Sequence, residues 1–150
     1  MRLLVLCTHN SARSQMAEGW LRHYANELAL NAEIFSAGSE ETFVKPDAVT
    51  VMQEVGIDLS SHRSKTLEVL PDKWNFAVVM TVCDSANESC PIYLAKTTRL
   101  HVSFPDPSGD ALDRWREVRD ALGETCKTLV ETLKAGDTPT EEAIKPQVRL

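Results

Sequence analysis

Cys7 closes the apolar run Leu3-Leu4-Val5-Leu6, and Arg13 follows it across the polar segment Thr8-His9-Asn10-Ser11-Ala12, with Ser14 next in line. A thiol, a guanidinium and a hydroxyl at this spacing suit nucleophilic attack on a tetrahedral oxyanion. If the segment wraps from a strand into the start of a helix, the backbone N–H groups converge on one point, and the helix dipole and a bidentate Arg13 add positive field. The same field favours the thiolate of Cys7, because a cysteine at a helix N-terminus beside cations falls below the free value of about 8.5. Ser14 is placed to donate its hydroxyl to that thiolate, and Asn10 tolerates the left-handed backbone that a tight loop requires. Thr8, His9, Asn10, Ser11, Ala12, Arg13 and Ser14 form the candidate oxyanion-binding set. A bare Cys-x5-Arg pattern also fits a buried thiol and a surface arginine. The strand before it and the helix after it weigh against that plainer reading.

Asp106 stands between Pro105 and Pro107. Two prolines fix the backbone on either side, so the carboxyl is aimed by a rigid loop, as a proton donor requires. Burial near a negative substrate would favour its protonated form, although Asp is also a common turn residue. Cys83 directly follows the apolar run "FAVVMTV", and Cys90 comes just before Pro91. If "CDSANESC" were helical, a rise of 1.5 Å per residue would hold the two Cα atoms about 10 Å apart, beyond the roughly 7 Å that a disulfide spans. Any pairing of the two therefore demands a change of shape, which the small polar residues between them make easy. The spacing is poor for zinc and no further ligands lie nearby, so no metal is expected. Cys126 falls on the apolar stripe of a predicted helix and reads as a core thiol.

The elements that must hold these groups follow from the hydrophobic pattern. Residues 2–6 read as a buried parallel strand, and Met16, Trp20, Leu21, Tyr24 and Leu28 recur at helical spacing. A strand at 32–38 ends at Gly38, and a helix at 46–56 has Pro46 in its first turn and Gly56 as its cap. A short helix near "IDLSSH" precedes strands at 76–82 and 99–104, and a helix at 111–134 carries Trp115, Val118, Leu122, Cys126, Leu129 and Leu133 on one face. Such alternation predicts a parallel sheet with helices on both faces and right-handed crossovers. The polar, proline-bearing stretch 135–150 is expected to be loosely attached.

With 150 residues, 43 % of them apolar, the chain fits one domain spanning 1–150 with a core of its own. It contains no apolar run approaching the roughly 20 residues of a membrane helix, and nothing resembling a signal peptide, so a cytoplasmic protein is expected. Four cysteines are too few and too scattered for a disulfide scaffold, and a net charge of -6 argues against nucleic acid as a partner. That charge would not attract an anion either, so local donors must hold one.

The stretch "CTHNSARSQMAEGW" resembles the nucleophile loop of the low-molecular-weight phosphotyrosine phosphatase superfamily, and more closely its thioredoxin-coupled arsenate reductase branch. The likeness continues through "SAG" at 36–38, "GIDLSSHRS" at 56–64, "VVMTVCDSANESCP" at 78–91 and "FPDPSG" at 104–109, to about residue 134. It implies a flavodoxin-like four-stranded parallel sheet of order 2-1-3-4, with Cys7 and Cys83 at the carboxyl ends of neighbouring strands. It further implies that Cys7 is the nucleophile, Arg13 the oxyanion clamp, Ser14 the thiolate partner and Asp106 the general acid. Arsenate would be the substrate, with phosphate or sulfate as analogues, and Cys7, Cys83 and Cys90 would pass a disulfide along to an external dithiol such as thioredoxin. No bound cofactor and a monomeric state are expected. Phosphatases of this superfamily carry an aromatic residue just after the Asp-Pro pair, whereas Pro107 is followed by Ser108 and Gly109, which points to a small inorganic oxyanion. In relatives with a potassium site, Asn10 and Glu18 correspond to ligands, but Arg63 and Lys65 take the other two places. The Lys65 ammonium is therefore expected near Asn10 and Glu18. His23, His62 and His101 are widely separated and receive no role. Two alternatives stay open: hydrolysis of tyrosyl or small phosphomonoesters, and an oxyanion-binding redox sensor without turnover.

Overall fold

Leu3, Leu4, Val5, Leu6 and Cys7 are all buried, so the strand they form must be covered on both faces. A computed structural model of the chain, describing residues 1–84 and 86–150, places this strand, β1 (Arg2–Cys7), inside a four-stranded parallel sheet. The others are β2 (Glu33–Gly38), β3 (Val78–Thr81) and β4 (Thr98–His101), in the order β2-β1-β3-β4. In register, Cys7 lies opposite Gly38 on one side, and Leu6 lies opposite Thr81 on the other. This is the predicted topology, and it brings the carboxyl ends of β1 and β3 side by side.

Side-chain alternation divides the core into two layers. Leu3, Val5 and Cys7 face α1 (Arg13–Glu27), α2 (Pro46–Gln53) and α3 (Leu112–Lys134), whose Met16, Trp20, Val51, Met52, Trp115 and Leu122 complete the larger cluster. Leu4 and Leu6 face a thinner layer made by Leu70, Phe76 and Tyr93. Its only regular piece among the described residues is the 3-10 turn Leu67–Val69, so the helical cover is uneven between the two faces. Gly56, at φ 80°, ends the turn that follows α2, and Ile57 N–H reaches back to Met52 O. The helix expected near "IDLSSH" is a turn instead, because the Asp58 carboxylate accepts from Ser60 N–H and gives the backbone a local alternative.

The loosely attached tail is a further correction. Residues Glu141–Ile144 form a short helix, α4, capped by the Thr140 hydroxyl, and Ile144 is fully buried. Leu150 also packs against the core, and Pro139 is buried. Glu141 also accepts from His101 N–H on the edge strand β4, and Gln147 N–H donates to Glu124 on α3. Among the described residues no helix is long and apolar enough to cross a membrane.

Candidate oxyanion site and thiol relay

The loop from Thr8 to Ala12 is shaped by what happens to its carbonyls. Thr8 O accepts from Ser39 N and Glu40 N, His9 O from the Ser64 hydroxyl, Asn10 O from Gln15 Nε2, Ser11 O from Lys45 N, and Ala12 O from Met16 N. Every carbonyl is thus tied to the surrounding scaffold. No described backbone carbonyl accepts from the N–H groups of residues 8–12, which leaves these donors for the concave side. Asn10 takes the left-handed conformation expected of it, at φ 50°. Its amide donates to the hydroxyls of Ser14 (2.8 Å) and Ser36 (2.9 Å), and its side-chain carbonyl accepts from Gln15 Nε2 and Lys65 N. Gly38 completes the wall: a Cβ there would meet Thr8 O at 2.7 Å and Asn10 N at 2.9 Å, so only glycine lets the strand approach the loop this closely.

Cys7 and Arg13 lie where the sequence predicts, both buried at the ends of the loop. Their electrostatics differ from expectation. The Cys7 thiol is pushed up to about 11, chiefly by burial; Arg13 and the Thr8 backbone N–H work in the opposite direction, and Glu88 and Asp106 add to the rise. No described hydrogen bond joins the Ser14 hydroxyl, the expected thiolate partner, to Cys7; its oxygen accepts from the Asn10 amide, which does not engage the hydroxyl's own proton. Arg13 Nη1 donates to Phe104 O at 3.0 Å, and Nη2 lies 3.8 Å from Asp106 Oδ2. The buried Arg13 Nε has no hydrogen-bond partner among the described residues.

Glu88 had no place in the sequence reading, yet it is the principal partner of Arg13. Its two carboxylate oxygens take Nη1 at 2.6 Å and Nη2 at 2.9 Å, and the Thr8 hydroxyl adds a third bond at 2.6 Å. Burial opposes the charge on Glu88, but the bonds from Arg13 and Thr8 prevail and hold its carboxyl below the usual range. Nothing in the spacing of "CDSANESC" marks this residue, because its partner is 75 positions away.

Cys83 and Cys90 form a disulfide with Cα atoms 5.9 Å apart. The described residues between them form a single turn and no helix, with Asn87 N and Glu88 N both donating to Asp84 O. Ser85 lies outside the described residues. Val82 N–H still donates to Leu6 O, which keeps the chain paired with β1 up to the residue before Cys83, as Leu6 precedes Cys7. Asp106 sits exposed above these strand ends, its carboxylate accepting from Ser108 N–H. It shares with His9, Asp84, Asn87, Glu88 and Pro105 a cleft of about 380 Å³. A second cleft borders Asp106 from the other side and is walled by Phe43, an exposed aromatic the sequence reading passed over. Cys126 is buried in the core, where burial pushes its thiol up.

Behind the loop, Glu18 is buried and accepts from the Ser36 hydroxyl at 2.6 Å. Lys65 Nζ stands 3.9 Å from Glu18 Oε1, which is where the sequence reading puts the ammonium, and its backbone N–H reaches Asn10. Arg63 presents its carbonyl to Gln15 Nε2 and to Lys65 Nζ. Arg22 and His62 also pair with Glu18, and His62 Nδ1 lies 3.0 Å from Gln15 Oε1. Burial pulls the pKa of His62 down, aided by Arg22 and Lys65 and opposed by Glu18. The folded chain thus resists a proton that the unfolded chain accepts near pH 6.5. Stability from this residue is present above that range and is lost as pH falls below it. Urea midpoints measured from pH 7.5 to 5 should therefore fall more steeply for the wild type than for His62→Gln, and parallel curves would remove His62 as a cause.

The structure thus defines a class: a parallel sheet whose first strand runs into a loop with outward-tied carbonyls, set between a buried cysteine and a buried arginine. The comparisons agree with this class. The model for "Low molecular weight phosphotyrosine protein phosphatase" matches residues 2–138. An arsenate reductase of Halalkalibacterium halodurans is 40 % identical over 136 residues, covering 86 % of this chain and 94 % of that protein. A solved arsenate reductase in its oxidized state superimposes with a TM-score of 0.72 at 29 % identity, over 88 % of this chain and 98 % of its own. Another, in a phosphate-binding state, gives 0.69 at 30 % identity, over 90 % and 97 %. This chain belongs to the low-molecular-weight phosphotyrosine protein phosphatase family.

Proposed function

We propose that the chain reduces arsenate to arsenite. Cys7 attacks the arsenic of arsenate held by Arg13 and the amides of residues 8–14, and Asp106 protonates the departing hydroxide. Cys83 then attacks the Cys7 sulfur of this adduct; the Cys7–Cys83 disulfide forms, the sulfur–arsenic bond breaks, and arsenite leaves with both electrons. Cys90 next attacks Cys83 and releases Cys7, leaving the Cys83–Cys90 disulfide for an external dithiol such as thioredoxin. The observation that carries this reading is the Cys83–Cys90 pair, already joined, beside the loop that holds Cys7. A hydrolase has no use for it, because water alone resolves a thiophosphate. The names of the relatives point the same way.

The test is a single turnover. Fully reduced protein mixed with arsenate should release one arsenite per chain, and peptide mapping should find the new disulfide at Cys83–Cys90. Release of inorganic phosphate from an aryl ester with no arsenite from arsenate would move the chain to the phosphatase reading, to which the Phe43 wall beside Asp106 lends support.

A further inference from the structure

The loop closed by the disulfide delivers one of the chain's own carboxylates to the cradle. We propose that Glu88 is a redox-coupled plug: while Cys83 and Cys90 are joined it occupies Arg13 and Thr8 and excludes external oxyanions, and opening of the disulfide releases it. The proposal rests on the cradle being the oxyanion site, as argued above, and adds a mode of regulation to it.

Three observations support the plug. Glu88 engages both Nη atoms of Arg13 in the fork geometry that guanidinium offers to carboxylates and to tetrahedral oxyanions alike, so the two ligands compete for the same donors. The disulfide confines this competitor, because Glu88 lies inside a ring whose ends are separated by seven positions, and the Asp84 N–H and carbonyl tie it further from within. Such tethering presents an effective concentration in the millimolar range or above. Glu88 and Asp106 also set negative charge around the cleft, against which an arriving anion must work.

Two consequences follow. By linkage, an anion that displaces Glu88 must favour the dithiol by the same factor by which the dithiol favours the anion. The plug also protects the product of the reaction. A Cys7 thiolate attacking the Cys83 sulfur would expel the Cys90 thiolate and restore the Cys7–Cys83 disulfide. With Glu88 seated and burial pushing the Cys7 thiol up to about 11, Cys7 keeps its proton and is a poor nucleophile.

Calorimetric titration with inorganic phosphate, at fixed pH and ionic strength, tests the plug on the disulfide form and on phosphine-reduced protein, for wild type, Glu88→Gln and Glu88→Ala. The wild-type disulfide form should bind phosphate at least about tenfold more weakly than the reduced form, a common size for coupling between sites. In both variants the gap should close to within about threefold, well inside the range of such couplings. Equal wild-type affinities in the two redox states, or a gap that persists in both variants, would overturn the proposal. Phosphate binding in neither state would overturn it together with the oxyanion site. A redox gap in phosphate affinity without arsenite production would keep the plug and discard the reductase, whereas arsenite production without the gap would do the reverse.

Discussion

Cys83→Ser should lower arsenate-dependent consumption of a dithiol by about 10³-fold or more, the loss seen when a covalent catalytic group is removed, while Cys7-dependent cleavage of an aryl phosphate persists. The asymmetry arises because the hydroxyl cannot accept the bond from Cys7, so the arsenic adduct has no internal reductant. Any ester cleavage needs only the first thiol, the cradle and Asp106. Cys90→Ser should fail one step later: a burst of one arsenite per chain, then arrest with Cys7 joined to Cys83. Comparing initial burst with steady-state rate in the two variants locates each thiol in the sequence of events. Steady wild-type turnover by either variant would rule out a relay through three sulfurs. Because Cys83 is fully buried and Cys90 is half-buried, the swap of sulfur for oxygen should be accompanied by a thermal melt to check that each variant is folded.

Gly38→Ala should cost about 10²-fold in kcat/KM for arsenate, the scale expected when reacting groups move by about 1 Å. The added methyl carbon would lie 2.7 Å from Thr8 O, 2.9 Å from Asn10 N and 3.0 Å from the His9 carbonyl carbon. These are main-chain atoms of the loop and cannot swing aside as a side-chain end would. The cradle must therefore shift, while β2 keeps its ladder and the core its packing. Circular dichroism unchanged alongside a weakened phosphate affinity is the expected pair of results; full activity would show that the loop tolerates the displacement.

Much of the frame is legible in the chain because it follows from strong local signals. The run at residues 3–7 has no polar face, which places it centrally, and the helical stripe through Trp115 and Leu129 identifies α3 and its buried side. Cys7, Arg13 and Asn10 declare their loop by type and spacing, and Asn10 takes the positive φ that its type permits. What escaped depends on contacts distant in sequence. The charge state of Cys7 is set partly by Glu88, which arrives only when the 83–90 segment folds over the loop. The Ser14 oxygen accepts from the Asn10 amide, and Ile144 docks a tail whose composition alone suggests detachment. Gly38 was visible as a strand end, but its closeness to the loop emerges only from the pairing of β1 with β2.

The outward anchoring of the loop has an evolutionary corollary. Since the curvature is maintained through carbonyl oxygens, the half-exposed imidazole of His9 is released from architectural duty, whereas Ser11 and Ala12 are buried and stay constrained in size. Lineages can diversify position 9 while inheriting an unchanged cup.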